Sequence, residues 1–163
     1  MNRGGQFSRG EKRSSARLSA VQGLYQMDLT GKGVLDVFSE FERFWIGQEI
    51  EGEVYKPAER GLFRAIVNGV IEHQIALDRA ADRILSDAWP LKRVEAILRA
   101  ILRAGTYELA FTPDVPVKVV VSEYVDIASA FLDRDEVGMV NAVLDRYARE
   151  VRAEEMAEKG RNS

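Results

Sequence analysis

Apolar residues recur along most of this chain at spacings of three and four, the period of one face of an α-helix. A first helix is expected from about Ser14, with Ser14-Ser15 as its cap, to Leu29. Thr30-Gly31-Lys32-Gly33 ends it, because glycine accepts the backbone angles of a helix terminus. Val34, Val37, Phe38, Phe41, Phe44 and Trp45 then mark the buried face of a second helix, Val34 to Gln48. The acidic stretch 49–56 contains Gly52 and reads as a loop, and Pro57 suits the first turn of the next helix. Leu62, Ile66, Val70 and His73 continue at helical spacing to about Gln74, with a continuation or bend into 75–85.

Ala88-Trp89-Pro90 is a break, since proline disfavours helical geometry at the residue before it. Residues 91–110 form one or two helices on the stripe Val94, Ile97, Leu98, Ile101, Leu102 and Leu109. Thr112-Pro113-Asp114-Val115-Pro116 turns the chain into a helix from Val117 to Leu132, and a last helix runs from about Glu136 to Glu158 on Val140, Leu144, Tyr147 and Val151. The run Val117-Lys118-Val119-Val120-Val121 favours a strand by residue type. The three–four period nevertheless persists through Tyr124, Val125 and Ala128, no partner strand is evident, and helix is the reading. The expectation is an all-α bundle of six to seven helices with short connections, flanked by a disordered basic tail (1–12) and a polar tail (159–163) around one domain, 13–158.

Composition narrows the chemistry. The 163 residues hold no cysteine and one histidine, His73. Thiolate nucleophiles, disulfides and Cys-ligated metals are excluded, and any histidine-based acid/base scheme would have to use His73. That residue closes an apolar helical row, where a capping or half-buried structural role is the expectation. No Gly-rich phosphate loop, HExxH motif or calcium loop occurs, and Asp133, Asp135 and Glu136 read as a solvated turn. The chain is therefore read as a non-enzyme without metal or cofactor. It has no membrane-length apolar run and no signal-like start, which points to the cytosol.

Charge changes this picture most. The net charge is −3, yet residues 1–17 carry Arg3, Arg9, Lys12, Arg13 and Arg17 against Glu11, a local +4 on a body of −7. Arg13, Arg17, Val21 and Tyr25 follow at i, i+4, i+8 and i+12 and suggest a ridge. Two guanidiniums one turn apart can grip successive phosphates, a tyrosine can stack on an unpaired base, and Gln22 beside it can read a base edge. A helix with solvated arginines and a core tyrosine has the same pattern.

Four segments carry a resemblance. Ala16-Arg17-Leu18-Ser19-Ala20-Val21-Gln22-Gly23-Leu24-Tyr25 is similar to the opening helix of the NusB family, A-R-x-x-A-[VL]-Q-x-L-Y. Leu102-Arg103-Ala104-Gly105-Thr106-Tyr107-Glu108-Leu109, followed by Asp114-Val115-Pro116, resembles its LR-x-x-x-YEL…D-x-P segment. Val119–Ala128 resembles V-A-I-N-E-A-V-E-L-A, and Met139-Val140-Asn141-Ala142-Val143-Leu144-Asp145 resembles F-V-N-G-V-L-D. Residues 30–90 match only in helical character and length.

The resemblance implies two small helical subdomains and no catalysis. It implies binding of single-stranded boxA-type RNA together with NusE, a small-subunit ribosomal protein. The assembly would include RNA polymerase and other Nus factors and would suppress termination on ribosomal RNA operons. Carried over by position, RNA contacts are Arg13, Arg17, Gln22 and Tyr25, with Asp135 and the backbone near Met139; Tyr107 and Glu108 are nominal NusE contacts. Ser14 and Ser15 stand where the family often has a fuller basic run, so Arg9 and Lys12 are candidates to supplement the grip. Met139 stands where phenylalanine is common. Arg103 and Asn141 are equally well read as buried bridges between helix ends. A homodimer is left open, and so are two other functions: a helical adaptor that binds protein alone, and the RNA-targeting part of an RNA cytosine methyltransferase.

Overall fold

The computed structural model describes residues 8–46, 49–50, 53–54, 59–85 and 90–161, with backbone alone for 44–46, 49–50, 53–54, 93 and 159–161. The expected positions 1–7, Pro57 and Ala88-Trp89 lie outside the described residues. The described elements are α1 (Arg9–Thr30), α2 (Val34–Ile46), β1 (Glu49–Ile50), β2 (Glu53–Val54), α3 (Arg60–Ile84), a 3₁₀ turn (Leu91–Arg93), α4 (Ala96–Phe111), α5 (Val117–Phe131), α6 (Arg134–Val151) and α7 (Ala153–Arg161). The fold is all-α. The pair β1–β2 is a two-residue antiparallel ladder, Glu49 opposite Val54 and Ile50 opposite Glu53, inside the expected loop.

Helix α1 starts five residues before Ser14. Its cap is Ser8, whose hydroxyl accepts from the Glu11 N–H (3.0 Å), while the Glu11 carboxylate accepts from the Ser8 N–H (3.4 Å). This reciprocal box satisfies two backbone donors that a helix start otherwise leaves bare. Arg9 to Lys12, expected in a disordered tail, are thereby helical. The other end is as expected: Gly31 takes a left-handed φ of 75° and its N–H donates to the Met27 carbonyl at 2.9 Å.

The chain divides into two units, residues 1–68 and 69–163. In the first, Ala16, Ala20, Val21 and Leu24 of α1 are buried, as are Val37 and Phe38 of α2 and Leu62, Phe63, Ile66 and Val67 of α3. Phe63 packs edge-on against Phe38, with centroids 5.5 Å apart. Glu42, 8% exposed, is forked by Arg64 (Nε 2.5 Å, Nη2 2.6 Å), which holds its carboxyl below the usual carboxylate range.

In the second unit α4, α5 and α6 enclose Leu98, Ile101, Leu102, Leu109, Val120, Tyr124, Val140 and Leu144, all buried. The β-branched run 117–121 is helical, since its period was the stronger signal. Of the two readings past Gln74, continuation or bend, continuation is observed: α3 runs unbroken to Ile84. The last expected helix is instead two, α6 and α7, divided at Arg152. Arg152 is buried, and its guanidinium donates to the carbonyls of Leu109 (2.7 Å), Val115 (3.0 Å), Thr112 (2.8 Å) and Glu108 (3.3 Å) and to Glu155 (2.8 Å). Those carbonyls belong to the end of α4 and the turn after it, where helical pairing runs out; Glu108 and Thr112 also accept the N–H groups of Thr112 and Val115, both at 3.0 Å. Glu155 also accepts from the Val117 N–H (2.8 Å), so one ion pair caps both sides of the α4–α5 turn.

Arg103 is half-buried and forks Asp78, inside α3 and not at a helix end, at 2.9 and 2.8 Å. Asn141 is exposed and bridges nothing in the interior. Asp133 caps α6 in a second capping box with Glu136, which gives those carboxylates a backbone role. His73 is half-buried and stacks on Phe111 at 4.1 Å; Phe111 stacks on Tyr107 at 5.3 Å. The Tyr107 ring lies against the backbone of Gly69 on α3, in space that any Cβ would occupy.

Candidate nucleic-acid interface

The expected ridge on α1 does not face outward as a unit. Arg17 is 2% exposed and Val21 is fully buried. Residues four apart advance about 400° around a helix of 3.6 residues per turn, so each step drifts by roughly 40°. Over three steps the line from Arg13 to Tyr25 turns by about 120° and passes through the core. Arg17 is thus corrected from a phosphate contact to an interior guanidinium, whose charge must be met from within the fold.

What α1 displays is a different set. Gln22 is exposed and Tyr25 is half-buried, one turn apart on the same side, with Leu18 half-buried and Leu29 59% exposed at helical spacing around them. A carboxamide and a flat ring on an outward, weakly charged stripe suit unstacked bases. The cations sit at the amino-terminal end. Arg9 is exposed, and Lys12 and Arg13 are half-buried.

Arg13 meets Glu59 through a single nitrogen. Its Nη1 lies 3.5 Å from both carboxylate oxygens, with side chains 22% and 38% exposed. Glu59 is held there by its backbone: its N–H donates to the Lys12 carbonyl at 3.0 Å, and its own carbonyl accepts the Phe63 N–H at the start of α3. Nothing in the sequence announces this pair, because 46 residues separate its members.

The remaining expected contacts lie in the second unit. Asp135 is exposed and Met139 half-buried, both in the first turns of α6. Tyr107 is half-buried, and burial raises its hydroxyl pKa, with Glu108 and Glu72 adding to the effect. Glu108 is corrected: it is fully buried, and its carboxylate accepts the Tyr124 hydroxyl at 2.5 Å, so its side chain is not offered to a partner. Among the described residues no group of three His, Asp or Glu side chains is placed to hold a metal ion, and no helix is long and apolar enough to cross a membrane.

Comparison with known proteins extends the geometry. Residues 14–149 match the model of the NusB family. The chain is 60% identical over 148 residues to the transcription antitermination protein NusB of Bradyrhizobium sp. (strain BTAi1 / ATCC BAA-1182), covering 91% of this chain and 88% of that one. It is 59% identical over 146 residues to the protein of the same name from Nitrobacter hamburgensis, covering 90% and 91%. Among solved structures it is similar to T. maritima NusB, with a TM-score of 0.73 and 26% identity over 89% of this chain and 96% of that one. The fold is also that of a structure of the antitermination factors NusB and NusE in complex with dsRNA, with a TM-score of 0.70 and 22% identity, covering 84% of this chain and 96% of that one.

Proposed function

The chain belongs to the NusB family, and on that premise we propose that it is a non-enzymatic, RNA-binding transcription antitermination factor acting in the cytoplasm. Its ligand in this reading is single-stranded boxA-type RNA, held together with NusE. The complex joins RNA polymerase and other Nus factors and sustains transcription of ribosomal RNA operons. The observation that carries the reading is 60% identity across 91% of the chain to a protein named for transcription antitermination. A solved structure of the same fold contains NusB, NusE and RNA, which supports the same partners here.

The geometry supplies the chemistry. Arg13 at one end of α1, supplemented by Arg9 and Lys12, takes phosphates; Gln22 and Tyr25 take bases. Arg13 and Tyr25 are about 18 Å apart along the axis and about a third of a turn apart around it, so a strand reaching both crosses α1 obliquely. Asp135 and the backbone near Met139 are the proposed RNA contacts of the second unit. Tyr107 is the proposed NusE contact that remains once Glu108 is set aside.

Mobility shifts with a labelled boxA-type RNA and a scrambled strand, with and without NusE, at two salt concentrations, test this reading. The expected result is preference for the boxA-type strand, tightening by NusE, and weakening as salt rises. Equal, salt-insensitive binding of both strands, or none, would overturn it in favour of an adaptor that binds protein alone.

A further inference from the structure

We infer that Glu59 is an internal competitor for the phosphate site at Arg13, a carboxylate that occupies the guanidinium until RNA displaces it. This rests on the RNA-binding reading above and goes beyond it in assigning a negative regulator of affinity within the same unit. The juxtaposition carries it: Glu59 Oε1 and Oε2 both lie 3.5 Å from Arg13 Nη1, at the cationic end of α1.

Three features make this an exchangeable contact rather than a lock. The first is its length and single-nitrogen geometry. A guanidinium has five N–H donors arranged as forks, and a firm carboxylate pair uses two of its nitrogens at 2.7–2.9 Å. Within this protein Arg103 grips Asp78 and Arg64 grips Glu42 in that manner. The second is exposure. Arg13 and Glu59 are 22% and 38% exposed, so water reaches both partners when they part and no bare charge is buried. The third is position. The Glu59 backbone is pinned to Lys12 and immediately precedes α3, so the carboxylate is kept beside Arg13 by the fold and not by the ion pair itself. Released from Arg13, it sits where the first N–H groups of α3 can donate to a carboxylate.

A phosphate arriving at Arg13 meets the same donors that Glu59 uses, together with a like charge beside them. Both effects weaken binding; when the carboxylate becomes an amide the like charge vanishes and the competition for the donors weakens to that of a neutral acceptor. Glu59→Gln should therefore tighten binding of boxA-type RNA by about three- to ten-fold. The gain should shrink as salt is raised, since it is a charge effect between exposed groups. It should also depend on its partner: in an Arg13→Gln background, Glu59→Gln should change affinity by less than about two-fold, which a double-mutant cycle reads directly.

The experiment is a titration of labelled boxA-type RNA with the full chain and the variants E59Q, R13Q and E59Q/R13Q at two salt concentrations, with a thermal melt for each protein. Tightening by E59Q that disappears with R13Q supports the inference. If the unaltered chain binds RNA and R13Q weakens it, but E59Q leaves affinity unchanged or lower, Glu59 is a positioning group or a bystander and the inference falls while the RNA reading stands. Tightening by E59Q that persists in full with R13Q also overturns it, because the carboxylate would then act through the general field. No RNA binding by any of the four overturns both.

Discussion

Arg152 and Arg103 of the second unit and Arg13 of the first use their guanidiniums in opposite ways, although the first unit also holds a firm fork, Arg64 on Glu42. In the second, Arg152 donates to four backbone carbonyls and one carboxylate, and Arg103 closes a two-nitrogen fork on Asp78. In the first, Arg13 touches Glu59 through one nitrogen at long range. A guanidinium whose donors are filled from within is a fastener. One whose donors are mostly unfilled is a binding group, and residue type alone does not distinguish them. Arg17 crosses the division, an interior cation on the helix that carries the proposed RNA contacts.

Substitutions sharpen this contrast, and the largest effect is expected at Arg152. Arg152→Ala takes the guanidinium from the buried Leu109 and Val115 carbonyls and leaves Glu155 without its cation. It should cost about 4 kcal/mol of stability, read as a lower chemical-denaturation midpoint, with RNA affinity of the folded fraction little changed. Arg17→Ala removes a buried guanidinium from the interior and should cost about 3 kcal/mol, so any loss of RNA binding must come with a lower melting temperature. A variant that keeps its stability and loses RNA would return Arg17 to the interface and break the contrast.

Tyr124→Phe removes the hydroxyl that satisfies buried Glu108 and should cost roughly 1–3 kcal/mol. Tyr25→Ala should leave stability nearly unchanged and weaken RNA by about 5- to 30-fold, the worth of one stacked base. The smallest effect is in acid. Glu42 has its pKa lowered by Arg64, so the stability it contributes is complete above the ordinary carboxylate value of 4.5 and is lost as pH falls through the lowered one. Melting temperature should therefore fall less steeply below pH 4.5 in Glu42→Gln than in the unaltered chain.

The helices were legible because burial imposes a period that residue type cannot hide, and 117–121 shows the period prevailing over β-propensity. The helix starts were not all legible. Ser8 and Glu11 form a capping box, but they sit in a stretch whose Gly, Ser and charge read equally well as disorder. The division at Arg152 has neither glycine nor proline to mark it; it arises from a side chain reaching carbonyls about 40 residues away. On α1, Gln22 is exposed and Tyr25 half-buried, one turn apart, as the helical period places them. Arg17 was misplaced by treating a four-residue step as a full turn, and Glu59 depends on a tertiary meeting that no local pattern records.

Gly69 has a mechanical meaning beyond its own position. With no side chain there, the Tyr107 ring seats directly on α3, and Phe111 and His73 complete a column of three rings reaching from α4 back to α3. The gap between these two helices is consequently gauged by the thickness of an aromatic ring. A methyl group at Gly69 would overlap the ring, so α4 and residues 69–84 of α3 are indexed like a pawl in a notch, and the notch is an absent methyl group.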